Sequence, residues 1–199
     1  MGTDSFAGRA QAYAAARTGK FTALLVANGS MVYAVEPDAD MRAQLAATLA
    51  DFPNAKVIAG SAEETALPDH SVDVIVCAQA LNWFDIEAFR AECLRISKMA
   101  HPLVLALYND ERVNGHSAAR YAKSTGALYH NPVVRTFPNP TFFTRERWRL
   151  YHASMAGVPQ EGEEGYDAYF KELDKAFAFE SEAGMLRLDL IRVVYSEQL

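Results

Sequence analysis

Residues 32–59 read VYAVEPDADMRAQLAATLADFPNAKVIA. A short β-rich run, Val32 to Val35, ends in Glu36 and is broken off by Pro37 and Asp38. Met41, Leu45, Leu49 and Phe52 then recur at spacings of three and four, the repeat of one face of an α-helix. Asp38 or Asp40 can cap that helix, because a carboxylate accepts the free N–H groups of a first turn. A second apolar run fills 56–59. The stretch reads strand, helix, strand.

The alternation continues outward. Residues 72–77 (VDVIVC) form a third apolar run. Asp85 can cap a helix whose apolar positions are Ile86, Phe89, Cys93 and Ile96, and residues 103–108 make a fourth strand. Upstream, residues 18–28 carry Phe21, Leu24 and Leu25 before Gly29, a plausible helix stop. Residues 1–17 are Ala-rich and suit a short helix anchored by Phe6 and Tyr13. Apolar strands alternating with amphipathic helices predict right-handed βαβ crossovers and an α/β fold, a mostly parallel Rossmann-like sheet with helices on both faces. The strands are apolar without strict alternation, as doubly covered strands are.

Beyond Tyr108 the pattern loosens. Residues 109–140 show few clear periods. Residues 145–155 read as a helix with Trp148 and Tyr151 on one side, and 166–177 as another. Residues 185–195 alternate as a strand does, with a bulge expected near Ile191. We expect a single domain: an N-terminal approach segment (1–17), a cofactor-binding core (18–108), a variable substrate region forming a partial cap (109–180) and a C-terminal strand (181–199).

The 199 residues carry a formal charge of -6, and half of them are hydrophobic, enough to bury a core. The acidic balance argues against a nucleic-acid surface, which needs clustered Lys and Arg to meet phosphates. The two cysteines, Cys77 and Cys93, fall on apolar faces and read as buried thiols; no Cys/His spacing suggests a metal. No apolar run approaches the length of a membrane span or a signal peptide, so a cytoplasmic location without membrane attachment is expected.

In a parallel α/β sheet, ligands sit beyond the carboxyl ends of the strands. Glu36 closes the first run; it can accept hydrogen bonds from ribose hydroxyls, or serve only as a capping or solvated acid. Gly60-Ser61-Ala62-Glu63 follows the second; small residues there admit a flat ring, but Ser61 to Glu64 equally fits a helix N-cap. Gln79 follows the third run, with Trp83 and Phe84 as pocket walls or as core aromatics.

Taken in order, residues 32–38 (VYAVEPD), 60–64 (GSAEE), 67–76 (LPDHSVDVIV) and 79–84 (QALNWF) resemble the type 11-like class I S-adenosylmethionine-dependent methyltransferases. Residues 6–17 (FAGRAQAYAAAR) resemble that family's N-terminal segment. The resemblance implies methyl transfer from S-adenosylmethionine to a small molecule, leaving S-adenosylhomocysteine. It implies that Thr18 and Gly19 end the glycine-rich loop, and that Glu36, with Pro37 beside it, meets the ribose. It further implies that Ser61, Ala62 and Glu63 border the adenine and Gln79 and Ala80 the methionine part. Trp83, Phe84 and Tyr108 then fall on the substrate side. No residue stands out as a catalytic base; His116, His130 and His152 lie in the variable region.

The chain departs from that family at one place. An apolar strand and several glycines normally precede Thr18-Gly19, yet Arg17 runs straight into it. Either the closing loop is not represented between these residues, or it is truly deleted and another segment or subunit fills the gap. A real deletion leaves a sheet edge that favours a homodimer. Two rival readings remain: a non-catalytic relative with a damaged cofactor site, and a nicotinamide-dependent Rossmann enzyme. The second lacks a full G-x-G-x-x-G and a Tyr-x-x-x-Lys pair.

Overall fold

A computed structural model describes residues 19–111, 116–155 and 157–199, with the backbone alone for 111 and 116–120. The 1–17 segment with Phe6 and Tyr13, Thr18 and the side chain of His116 lie outside the described residues. The chain divides into two compact units, residues 1–59 with 142–187, and residues 60–141 with 188–199.

In the first unit, helix α1 (Lys20–Ala27) starts at Gly19. Gly19 has φ +74°, and a Cβ there would lie 3.0 Å from Leu45 Cδ1 and Thr48 Cγ2. Left-handed backbone and close packing both select glycine at this position. Strand β1 (Val32–Val35) pairs in parallel with β2 (Ala55–Ile58), in register from Val32 with Ala55 to Val35 with Ile58. Between them α2 (Ala39–Thr48) is capped by Asp38, whose carboxylate accepts the Met41 N–H at 2.8 Å. Ala34, Leu45 and Leu49 form the buried core here, backed by Phe52 and Val57. Two later helices, α5 (Arg145–Ala153) and α6 (Tyr166–Glu180), belong to this unit. Both Arg145 and Arg149 donate to the half-buried Asp174, tying the two helices together. Trp148 and Tyr151 share a side of α5, stacked at 5.8 Å, as their spacing predicts.

In the second unit, β3 (Val74–Ala78) pairs in parallel with β4 (Leu103–Glu111), and β4 pairs antiparallel with β6 (Leu186–Gln198). Strand β5 (Val133–Phe143) lies outermost beside β6. Helix α3 (Ile86–Ile96) follows a 3₁₀ turn at Leu81–Trp83 and is capped by Asp85, which accepts the Glu87 and Ala88 N–H groups. Helix α4 spans His116–Leu128. Cys77, Leu81, Phe89, Cys93, Val104 and Leu128 form the main core, in which Cys93 is fully buried. Burial pushes both thiols up, that of Cys93 to about 12.

Three features differ from the sequence reading. Within residues 109–140, where the sequence shows few clear periods, β4 runs on to Glu111, and α4 and β5 fill most of the other described positions. The register of β6 on β4 is unbroken through Ile191, which pairs with Asp110, so there is no bulge. The strands form two sheets, β1–β2 and β3–β4–β6–β5. Among the described residues, neither β1 nor β3 has a strand on its second edge.

Candidate cofactor and substrate residues

At the carboxyl end of β1, the Glu36 N–H donates to Ile58 O at 3.1 Å, extending the ladder by one residue. Its side chain folds back, and Oε1 accepts the Asp38 N–H at 3.1 Å. The Arg42 guanidinium donates to the carbonyls of Glu36 and Pro37, both at 2.9 Å, which fixes this turn. Partial burial raises the Glu36 carboxyl pKa, and the Asp38 hydrogen bond opposes the rise. Glu36 therefore organises its own turn while Oε2 keeps no partner among the described residues. A carboxylate oxygen has two acceptor sites, so both readings of this acid are compatible in one geometry.

After β2, Ser61 Oγ accepts the Glu63 and Glu64 N–H groups at 3.2 and 3.1 Å. No helix follows, so this is a hydroxyl-capped turn rather than the helix N-cap that the sequence also allowed. Gly60 is packed against it: a Cβ would meet Glu64 O at 2.8 Å and Thr65 O at 2.9 Å. Ala62 packs against the main core. Glu63 Oε1 accepts the Asp85 N–H at 3.0 Å, binding the turn to the start of α3.

A residue unremarked in the sequence holds the next step. Glu92 on α3 is buried, its side chain 6% exposed. Its Oε1 accepts the Thr65 N–H at 2.8 Å, the Thr65 hydroxyl at 2.5 Å and Arg95 Nη2 at 2.7 Å. Oε2 accepts Arg95 Nε at 2.8 Å. The Arg95 hydrogen bonds, with those from Thr65, pull the carboxyl down to about 2 against the opposing effect of burial. The legible signal was an acid three residues after Phe89, on the buried side of an amphipathic helix.

Gln79 follows β3 with φ +59°, a left-handed backbone unusual for a residue with a side chain. Its N–H donates to Leu107 O at 2.9 Å, and its Oε1 accepts the Tyr121 hydroxyl at 2.7 Å. Ala80 O accepts the Trp83 N–H and closes the 3₁₀ turn. Asn82 Oδ1 in that turn is buried and has no hydrogen-bond partner among the described residues. Trp83 is 40% exposed, whereas Phe84 is half-buried with its ring 5.0 Å from Phe89. Phe84 thus shares its surface with the core. Tyr108 is buried and stacks flat on Tyr121 at 4.0 Å. Burial, then the hydroxyl of Tyr195, raises the pKa of the Tyr108 phenol.

His152 Nδ1 contacts the Tyr169 hydroxyl at 2.7 Å in the first unit, and His130 lies exposed in the second. No cluster of metal-ligating side chains occurs among the described residues, and none of their helices is long and apolar enough to cross a membrane.

S-adenosylmethionine offers a ribose diol, an adenine ring and an amino-acid end. The open oxygen of Glu36 fits a diol. The orphaned Asn82 Oδ1 fits an ammonium donor.

Alternating strands and helices, with β3 and β4 parallel and the last strand antiparallel beside β4, define a class I, Rossmann-like methyltransferase fold. A methyltransferase described as part of an antibiotic biosynthesis pathway in Anabaena variabilis superposes with TM-score 0.59 at 19% identity, over 90% of this chain and 87% of that one. Residues 13–100 match the model of the methyltransferase domain family. A Mycobacterium bovis protein described as an uncharacterized methyltransferase is 44% identical over 70 residues, covering 35% of this chain and 28% of that protein. A Schizosaccharomyces pombe protein described as methyltransferase-like is 38% identical over 84 residues, 42% of this chain and 32% of that protein. The chain thus aligns with about a third of the length of these curated relatives.

Proposed function

We propose that the chain binds S-adenosylmethionine and transfers its methyl group to a small-molecule acceptor in the cytoplasm. The observation that carries this reading is Glu36: a half-buried carboxylate at a strand's carboxyl end, its turn fixed by Arg42 and one oxygen left open. Glu36 and Pro37 would hold the ribose. Ser61, Ala62 and Glu63 would border the adenine, Gln79 and Ala80 the methionine part, and Thr18 and Gly19 the backbone approach. The sulfonium supplies an already activated methyl group, so the protein need not provide a base. Its residues orient donor and acceptor in line and exclude water, which can lower the barrier by roughly 7–11 kcal/mol. Trp83, Phe84 and Tyr108 would line the acceptor side, which suits an apolar or aromatic molecule. The domain comprises the approach segment, cofactor core, variable region and last strand as divided above.

One observation favours a second reading, a non-catalytic relative: Arg17 runs straight into Thr18-Gly19, without the apolar strand and run of glycines that the family carries there. Calorimetric titration of the full chain with S-adenosylmethionine and S-adenosylhomocysteine separates the two. Micromolar binding that disappears in Glu36→Ala supports the enzyme. No binding by a protein of the correct mass supports the non-catalytic relative.

A further inference from the structure

We propose that Tyr121 is a positioning residue that fixes the Gln79 side-chain amide, so that Nε2 is presented as a hydrogen-bond donor to a carboxylate of the bound ligand. The proposal stands on three observations within the second unit. Gln79 is held in left-handed backbone immediately after β3, a conformation that costs a non-glycine residue energy and persists only where its surroundings over-determine it. Its Oε1 accepts a hydrogen bond from the Tyr121 hydroxyl at 2.7 Å. The Tyr121 ring is clamped flat against the buried Tyr108, with 3° between the ring planes.

An amide has an acceptor end and a donor end. With the phenol on Oε1, the Nε2 end is turned away from it, and its N–H groups have no partner among the described residues. Two N–H groups on one nitrogen suit an anionic oxygen acceptor such as a carboxylate. In the methyltransferase reading, on which the identity of the ligand rests, that carboxylate is the one on the amino-acid end of the cofactor. Tyr121 itself touches no ligand in this scheme; it acts through Gln79.

The test uses the ¹⁵N-labelled full chain and two variants. Tyr121→Phe keeps the stacked ring and removes the hydroxyl. Gln79→Glu keeps an acceptor for Tyr121 and removes the donor. Without ligand, the Gln79 side-chain N–H₂ signals, assigned by their loss in Gln79→Glu, shift in Tyr121→Phe while the melting temperature stays within a few degrees. With S-adenosylhomocysteine as probe, those signals shift on titration of the native chain. Affinity then falls about tenfold in Tyr121→Phe and further in Gln79→Glu, where two carboxylates repel. Unchanged Gln79 amide signals in ligand-free Tyr121→Phe overturn the positioning role whatever the ligand. Tight probe binding that both variants retain overturns the donor role and leaves the methyltransferase reading intact. Absence of binding by the native chain, with the amide shift present, overturns that reading and the carboxylate assignment while the positioning role stands.

Discussion

Replacing Glu92 by Gln should cost stability at neutral pH and cost almost nothing in acid. The carboxylate is 6% exposed and accepts four hydrogen bonds, two from Thr65 and two from Arg95. Its pKa falls from the ordinary 4.5 to about 2 on folding. A folded pKa below the unfolded one means that the stabilisation is complete above about pH 4.5 and fades as pH drops toward 2. At 1.36 kcal/mol per pH unit the interval corresponds to roughly 3 kcal/mol, and the partial exposure of the Arg95 head reduces that to roughly 2 kcal/mol. Glutamine keeps the shape and an acceptor for Thr65 but gives up the charge. Urea unfolding of both proteins at pH 7 and pH 2.5 measures the difference. We expect a gap of roughly 2 kcal/mol at pH 7 that shrinks severalfold at pH 2.5. A gap of the same size at both pH values would refute the argument, because it would locate the effect in shape rather than in charge. The result bears on the site, since Glu92 holds Thr65, and Thr65 follows directly on the Ser61–Glu64 turn.

Other outcomes follow from the same geometry. Glu36→Gln removes a carboxylate whose pKa is raised by burial, so its charged form is the disfavoured one in the fold. Stability should be unchanged or slightly higher at pH 7, the native chain should gain stability as pH falls through the raised pKa, and calorimetry should show S-adenosylhomocysteine affinity lower by about 10–100-fold, the loss of a charge-assisted hydrogen bond. Gly60→Ala places a Cβ 2.8 Å from a backbone oxygen, which cannot swing aside; chemical denaturation should show a loss of about 1–3 kcal/mol. Ser61→Ala frees two N–H groups in a part-exposed turn, and thermal melting should register a cost of about 1 kcal/mol.

The strand–helix alternation from β1 to β4 was legible because each signal is local. Met41 and Leu45 repeat on one helix face and are buried in it, and Asp38 and Asp85 cap the helices they precede. The region after Tyr108 was not. Within the part of α4 whose side chains are described, only Tyr121, Thr125 and Leu128 are buried, and a Gly126 interrupts the pattern. Strand β5 carries Pro138 and Pro140 and is almost entirely exposed, so it lacks both alternation and an uninterrupted set of donors. Of the site, Glu36 and Gln79 stand at strand ends, where sequence order alone points to them. Their partners do not: Tyr121 lies 42 residues beyond Gln79, and Glu92 lies 27 beyond Thr65. No local pattern announces which tyrosine a glutamine will meet. The pairing of β6 with β4 is equally non-local, and the even run of its register past Ile191 comes from that partner, not from the strand's own alternation.

The two buried thiols give the second unit a chemical clock. A thiolate is the form that alkylating reagents attack, and both sulfurs are withdrawn from solvent and held as thiols. Cys77 sits on β3 and Cys93 on α3, one in the sheet and one in the helix covering it. Iodoacetamide added to the native chain can therefore modify them only when that packing opens. If the strand and the helix come apart together, the two modification rates will agree. If the outer edge of β3 frays alone, Cys77 will be modified first while Cys93 waits, and the ratio of the two rates will report how far the strand opens independently of the helix packed on it.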